Sequence, residues 1–178
     1  VPAGRRSRWG WHQLSNDAAR RLVVEAGVRA GDLVLDIGAG TGSITAPLVA
    51  AGARVVAFEL HHGRAHALRE RFAHDPVIVV QADAADLRLP RRPFRVVANP
   101  PFAVTSPLLR RLLARGSRLL TADLVLGRPA AVRWAGGELR GARRWMTTFD
   151  ASVTRTIPRS AFAPRPSVDA VVLRIERV

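Results

Sequence analysis

The run Leu33-Val34-Leu35-Asp36-Ile37 passes straight into Gly38-Ala39-Gly40-Thr41-Gly42, and a helical pattern follows to about Ala51. Four apolar residues in five read as a strand buried on both faces. The glycines let the backbone turn tightly and let a ligand come close. Strand, glycine-rich turn and helix in that order make a βα unit, which commits the chain to an α/β fold. The spacing is G-x-G-x-G, whereas a dinucleotide fingerprint reads G-x-G-x-x-G, so no pyrophosphate-binding turn is indicated.

The alternation continues along the chain. Ser15, Asn16 or Asp17 caps a helix to about Ala26, which Gly27 ends. Strands are expected at Arg54–Glu59, Val77–Gln81, 95–98 and 122–126, with helices at 62–72 and from Thr105 or Ser106 to about 115. The stretch 129–144 reads as a short helix broken by Gly136, Gly137 and Gly141. Two last strands, 152–157 and 170–175, flank the proline-punctuated segment 161–166. Parallel strands need crossovers, while a short loop makes the last pair antiparallel. The expected fold is a doubly wound, mostly parallel seven-stranded sheet with an antiparallel hairpin at one edge.

Three acids close three successive strands: Asp36, Glu59 and Asp83. In open α/β sheets ligands sit at that carboxyl edge, where Glu59 is placed to accept both hydroxyls of a ribose. Asp83 is placed to accept a bond from an adenine amino group. The fourth strand ends in Asn99-Pro100-Pro101-Phe102. Two prolines make a rigid turn with few donors. An amide oxygen and a backbone carbonyl there can both accept from one NH2 group, and the aromatic can stack on a flat ring.

Charge points to a polyanionic partner. The 178 residues carry 28 basic and 14 acidic side chains, for a formal charge of +14, and every basic residue is Arg. Phosphate contacts release counterions and steer encounter, so this balance favours a nucleic acid. Three clusters are expected to grip phosphates: Arg5, Arg6 and Arg8; Arg110 and Arg111; Arg140, Arg143 and Arg144. Trp9 and Trp11 interleave with the first and suit base stacking. With no cysteine there is no disulfide framework and no thiol nucleophile, which fits a reducing compartment. No apolar run reaches the roughly 18 residues of a membrane span, so no membrane partner is expected. His62 and His66 stand at i, i+4 without a third ligand, and no metal site is expected.

Asp36 to Gly42, Glu59, Asp83 and Asn99-Pro100-Pro101-Phe102, in this order and spacing, resemble a class I S-adenosylmethionine-dependent methyltransferase that modifies exocyclic amines. The nearer resemblance is to the ribosomal RNA adenine N6-methyltransferases, of the Erm macrolide-resistance and KsgA types. Gly10-Trp11-His12-Gln13-Leu14 stands where that family has G-Q-N-F-L, and Phe162-Ala163-Pro164-Arg165-Pro166-Ser167-Val168 where it has F-x-P-x-P-x-V.

The resemblance implies a Rossmann-like catalytic domain over residues 1–178, with 1–14 as a basic arm and without the small C-terminal helical domain of the family. It implies S-adenosyl-L-methionine as cofactor, held by His12, Leu14, Gly38, Gly40, Gly42, Glu59, Asp83 and Asn99. It implies catalysis by Asn99, Pro100 and Phe102, with Phe162 on the other face of a flipped-out adenine. The expected partner is ribosomal RNA, 23S first, met by a cytoplasmic monomer and conferring macrolide-lincosamide-streptogramin B resistance. The alternatives are a KsgA-like 16S adenine dimethylase and a protein methyltransferase acting on a glutamine amide or other side-chain nitrogen. A DNA adenine methyltransferase and a non-enzymatic RNA-binding module stand further off.

Overall fold

A computed structural model describes residues 12–137 and 143–178. Arg5, Arg6, Arg8, Trp9, Gly10, Trp11, Arg140 and the Arg143 side chain lie outside the described residues.

The chain begins with a two-residue strand, β1 (Gln13–Leu14), and helix α1 (Asn16–Glu25), whose N-cap is Ser15. There follow β2 (Leu33–Ile37), α2 (Thr45–Ala50), β3 (Arg54–Glu59), α3 (His62–Arg71), β4 (Val77–Gln81) and β5 (Phe94–Ala98). The second half holds α4 (Thr105–Leu112), β6 (Leu119–Gly127), α5 (Arg128–Ala135), α6 (Arg143–Met146), β7 (Phe149–Ile157), β8 (Phe162–Ala163) and β9 (Ala170–Arg177). The large sheet has the order β4-β3-β2-β5-β6-β9-β7, and β2 to β6 are parallel.

Side chains alternate across each strand and build two apolar layers. From β2, Leu33, Leu35 and Ile37 join Val96, Leu124 and the α4 residues Leu108, Leu109 and Leu112. Val34 points the other way, among Leu22, Leu48, Val55, Val97 and Val172. Asp36 shares the parity of Val34, so its carboxylate is carried into the layer under the glycine turn. Leu35 is fully buried, and Leu35→Ala is expected to cost roughly 2–5 kcal/mol of stability.

The last pair, β7 and β9, is antiparallel and forms one edge of the sheet, as expected. β9 is antiparallel to both neighbours and lies inside the sheet, between β6 and β7. The residue pattern explains the order. Ala170-Val171-Val172-Leu173 is buried throughout and needs a neighbour on each side, whereas β7 carries Asp150, Thr154, Arg155 and Thr156, which suit an exposed edge. The β7–β9 connection is longer than a tight loop. It includes a 3-10 turn at Arg159–Ala161 and β8, which pairs antiparallel with β1. That two-stranded ribbon was not expected from the sequence. It ties the start of the described chain to the proline-rich segment near its end.

Candidate active site

Strand order reverses at β2, so a crevice opens above the carboxyl ends of β2 and β5, where ligands bind in open α/β sheets. Gly38 follows β2 with φ +77°, and a Cβ there would lie 3.2 Å from Pro101 Cδ and 3.4 Å from Pro100 Cα. The glycine turn and the Asn99-Pro100-Pro101 turn are therefore in contact, and only a residue without a side chain fits between them. Gly42 has close neighbours of its own. It lines neither of the two cavities described below, and a Cβ there would meet Phe72 Cε2 at 2.8 Å, so it lets α3 pack down on the turn.

Glu59 is buried at the end of β3, and its carboxylate orders the turn. Oε2 accepts from the Gly40 N–H at 2.9 Å, while Oε1 accepts from the His61 N–H and from the Arg64 guanidinium, each at 2.8 Å. A carboxylate offers about four acceptor positions. Three are engaged here, so a diol at Glu59 shares the carboxylate with Arg64. Asp83, at the end of β4, accepts from the Ala85 N–H at 2.8 Å and caps a short 3-10 turn.

Asp36 is fully buried. Its Oδ2 accepts from the Thr45 hydroxyl at 2.6 Å, and Oδ1 has no hydrogen-bond partner. Burial pushes its carboxyl up to about 7; hydrogen bonds from Thr45 oppose this and the charge of Glu59 adds to it. A buried carboxylate oxygen without a donor is costly unless a cation or donor arrives to meet it.

Two cavities meet at Gly38. The larger, of about 650 Å³, is lined by Phe58, Glu59, Leu60, Gln81, Asp83 and Val104. The smaller, of about 20 Å³, lies among Gln13, Leu14, Asp36, Gly40, Thr41 and Asn99. The larger has room for a flat nucleoside, and the smaller, beside Asp36, has room for about one water. S-adenosyl-L-methionine suits this setting: Glu59, Asp83 and the apolar walls fit its nucleoside, and the orphan Asp36 oxygen leaves negative charge uncompensated beneath the turn, on the side its cationic end would take.

Asn99 and His12 form the other side of the crevice. The Asn99 amide donates from Nδ2 to the His12 carbonyl at 2.7 Å. A carbonyl only accepts, so the NH2 end takes that side and Oδ1 is left to accept from another group. The Phe102 ring is partly exposed and tilts at 43° to the His12 imidazole, with centroids 5.7 Å apart. His12 Nδ1 lies 2.8 Å from the Pro164 carbonyl.

Several of the expected residues have neighbours that the sequence did not indicate. His12, expected to hold the cofactor, leans on Phe102, and its carbonyl meets Asn99, which lines the smaller cavity. Leu14 keeps a place beside the smaller cavity but is 2% exposed and belongs to the core. Phe162, expected to face the adenine, is 4% exposed and pairs with Leu14 across the ribbon. It sits in the apolar cluster against which Phe102 packs. Pro100 is buried beside the glycine turn. Arg111, expected on phosphate, donates to the Leu87 carbonyl at 2.7 Å and stands 3.6 Å from Asp86, while Arg110 is exposed.

Sequence reasoning passed over Gln13, whose amide donates to the Thr41 hydroxyl at 2.8 Å and the Ser43 hydroxyl at 3.3 Å, latching β1 onto the glycine turn. Hydroxyls beside the last glycine were the only local signal for it.

A G-x-G-x-G turn, acids at or near three strand ends and an N-P-P-F turn in contact with the glycines, set on this sheet, make the fold that of the Rossmann-like class I methyltransferases. The profile of the ribosomal RNA adenine dimethylase family matches residues 5–178. An rRNA methyltransferase of Streptomyces thermotolerans is 38% identical over 168 residues, which are 92% of this chain and 56% of the relative. The ribosomal RNA small subunit methyltransferase A of Leifsonia xyli is 35% identical over 178 residues, covering 92% of this chain and 63% of the relative. The crystal structure of the 23S rRNA methyltransferase ErmE superposes with a TM-score of 0.80 at 28% identity, over 91% of this chain and 68% of that one. This chain belongs to the ribosomal RNA adenine dimethylase family, whose cofactor is S-adenosyl-L-methionine. It spans 56% and 63% of the length of the two relatives named.

Proposed function

We propose that this chain carries the catalytic part of a methyltransferase that modifies N6 of an adenine in 23S ribosomal RNA. In this reading it acts as a cytoplasmic monomer and confers macrolide-lincosamide-streptogramin B resistance. The observation that carries the reading is the Asn99 amide, turned by the His12 carbonyl so that Oδ1 is left as an acceptor, on a residue that lines the smaller cavity with the glycine turn. When bound, S-adenosyl-L-methionine supplies an electrophilic methyl group on a sulfonium.

An adenine N6 lone pair is delocalised into the ring, which makes the amine a poor nucleophile. Asn99 Oδ1 and the Pro100 carbonyl accept its two hydrogens and favour the tetrahedral, attacking nitrogen. Phe102 stacks on the flipped-out base, and its π face favours the positive charge that develops on the nitrogen. Catalysis rests on positioning and charge stabilisation, and the proton leaves after transfer. The likeness to ErmE supports 23S RNA as substrate, and the likeness to the Leifsonia xyli protein supports a second reading, a 16S adenine dimethylase.

Incubation with labelled S-adenosylmethionine and naked 23S RNA, 16S RNA, DNA or total protein tests this. Label on 23S RNA is expected. Label on 16S RNA selects the second reading, and label on DNA or protein alone overturns both.

A further inference from the structure

The segment that resembles F-x-P-x-P-x-V buries its phenylalanine, and its placement around Phe102 suggests another use for it. The Pro164 carbonyl holds the His12 ring, and that ring leans on Phe102. Four residues further on, Val168 lies against Gly127, which Phe102 also approaches. A Cβ on Gly127 would lie 3.2 Å from Val168 Cγ2 and 3.5 Å from Phe102 Cδ2, so the bare Gly127 backbone lets Val168 and the edge of Phe102 close together. Phe102 thus has the His12 ring and the Gly127 backbone as neighbours, with Val168 close by. His12 also meets Asn99 through its carbonyl.

We propose that His12 is a positioning residue of the target-base pocket, clamped by Pro164 so that its ring sets the angle of Phe102 while its backbone orients the Asn99 amide. This rests on the reading of Asn99 and Phe102 as the target site, and it moves residue 12 from the cofactor side to the base side. The chemistry is specific. A carbonyl only accepts, so His12 Nδ1 carries a proton and donates. A ring held at one nitrogen presents a fixed plane to its neighbour. A tilted aromatic contact at this centroid distance is attractive as well as space-filling. Small misplacement of a stacking group is costly to a reaction that depends on orientation.

The test compares wild type with His12→Ala and His12→Phe, the second keeping a ring without the Nδ1 anchor. Protein labelled with 4-fluorophenylalanine gives one fluorine signal for each of six phenylalanines, and Phe102→Leu assigns the one that matters. In His12→Ala the Phe102 signal should shift and broaden while the other five stay in place, showing an intact fold. S-adenosylhomocysteine affinity by calorimetry should stay within a few-fold. The kcat on naked ribosomal RNA should fall roughly 10- to 100-fold with little change in KM, and His12→Phe should fall between.

An unmoved Phe102 signal with unchanged kcat in both variants overturns the proposal. So does a loss of cofactor affinity as large as the loss of rate, which returns His12 to the cofactor side. If the wild type labels no RNA, the functional reading fails, and the fluorine signal alone then decides whether His12 sets the ring.

Discussion

Glu59 at the end of β3 accepts the backbone N–H of Gly40 at 2.9 Å, so the residue proposed to hold the cofactor ribose also holds the turn that surrounds it. Glu59→Ala should therefore act twice. It removes an acceptor for the cofactor and leaves a buried N–H without a partner, which costs about 1–3 kcal/mol. Calorimetry should show loss of S-adenosylmethionine binding, and thermal denaturation a lower Tm. Glu59→Gln keeps one carbonyl oxygen and should recover much of the stability but less of the affinity. Wild-type affinity in Glu59→Ala would contradict the cofactor assignment.

Asp36 gives the site a pH dependence of definite sign. Its carboxyl is raised from the ordinary 3.8 to about 7, so between those values the folded chain holds a proton that the unfolded chain has lost. The ligand-free fold is favoured by this group fully below the unfolded value, and that contribution is lost as pH rises through about 7. A cation against Oδ1 favours the carboxylate. Cofactor binding near pH 6 should release a proton, and affinity should rise toward pH 8; calorimetry in two buffers of different ionisation enthalpy counts the proton. Asp36→Asn should abolish both effects, and a flat affinity profile for the wild type would remove Asp36 from the cation site.

Asn99→Ala should abolish methyl transfer and leave cofactor affinity within a few-fold, because its oxygen acts on the target amine. Loss of one such transition-state contact costs roughly 100- to 1000-fold in rate. Single-turnover kinetics on ribosomal RNA measures it, and a mutant with near-wild-type rate would mean that another group orients the amine.

Phe102→Leu should slow transfer more than Phe102→Tyr or Phe102→Trp, which keep a π face for the base and the developing charge. The larger indole must also fit against Gly127 and Val168, so the tyrosine should be the milder of the two. Equal rates for leucine and tyrosine would reduce the ring to a space-filler.

RNA affinity should fall steeply with salt. Replacing Arg5, Arg6 and Arg8 together by Gln should flatten the slope of log affinity against log salt by about 2 if all three touch phosphate. It should weaken many RNAs alike, since phosphate contacts position without reading sequence. The corresponding triple at Arg140, Arg143 and Arg144 tests a second of the three clusters. Wild-type slopes in both triples would leave the arginine excess without a role in RNA binding.

Much of this was legible in local patterns. The bounds of β2, β3 and β4 follow from apolar runs between turn residues, and the three acids follow from where those runs stop. The ribbon of β1 and β8 left no such trace, because two residues are too short for any periodicity to register. The insertion of β9 was equally hidden. An apolar run announces burial on both faces but does not name the neighbours that bury it.

The sequence by itself determined the α/β class, the carboxyl edge that carries the site, and the glycine, acid and N-P-P-F groups gathered there. Those properties come from side-chain alternation and turn chemistry within a few residues of chain. Only the tertiary structure decided where His12, Gly42 and Phe162 lie and what they touch. His12 meets Pro164 across 152 residues of sequence, Gly42 receives α3, and Phe162 is covered by the strand that pairs with it. Each of these placements is set by a distant segment arriving in space, and burial or contact of that kind leaves no mark on the residues nearby.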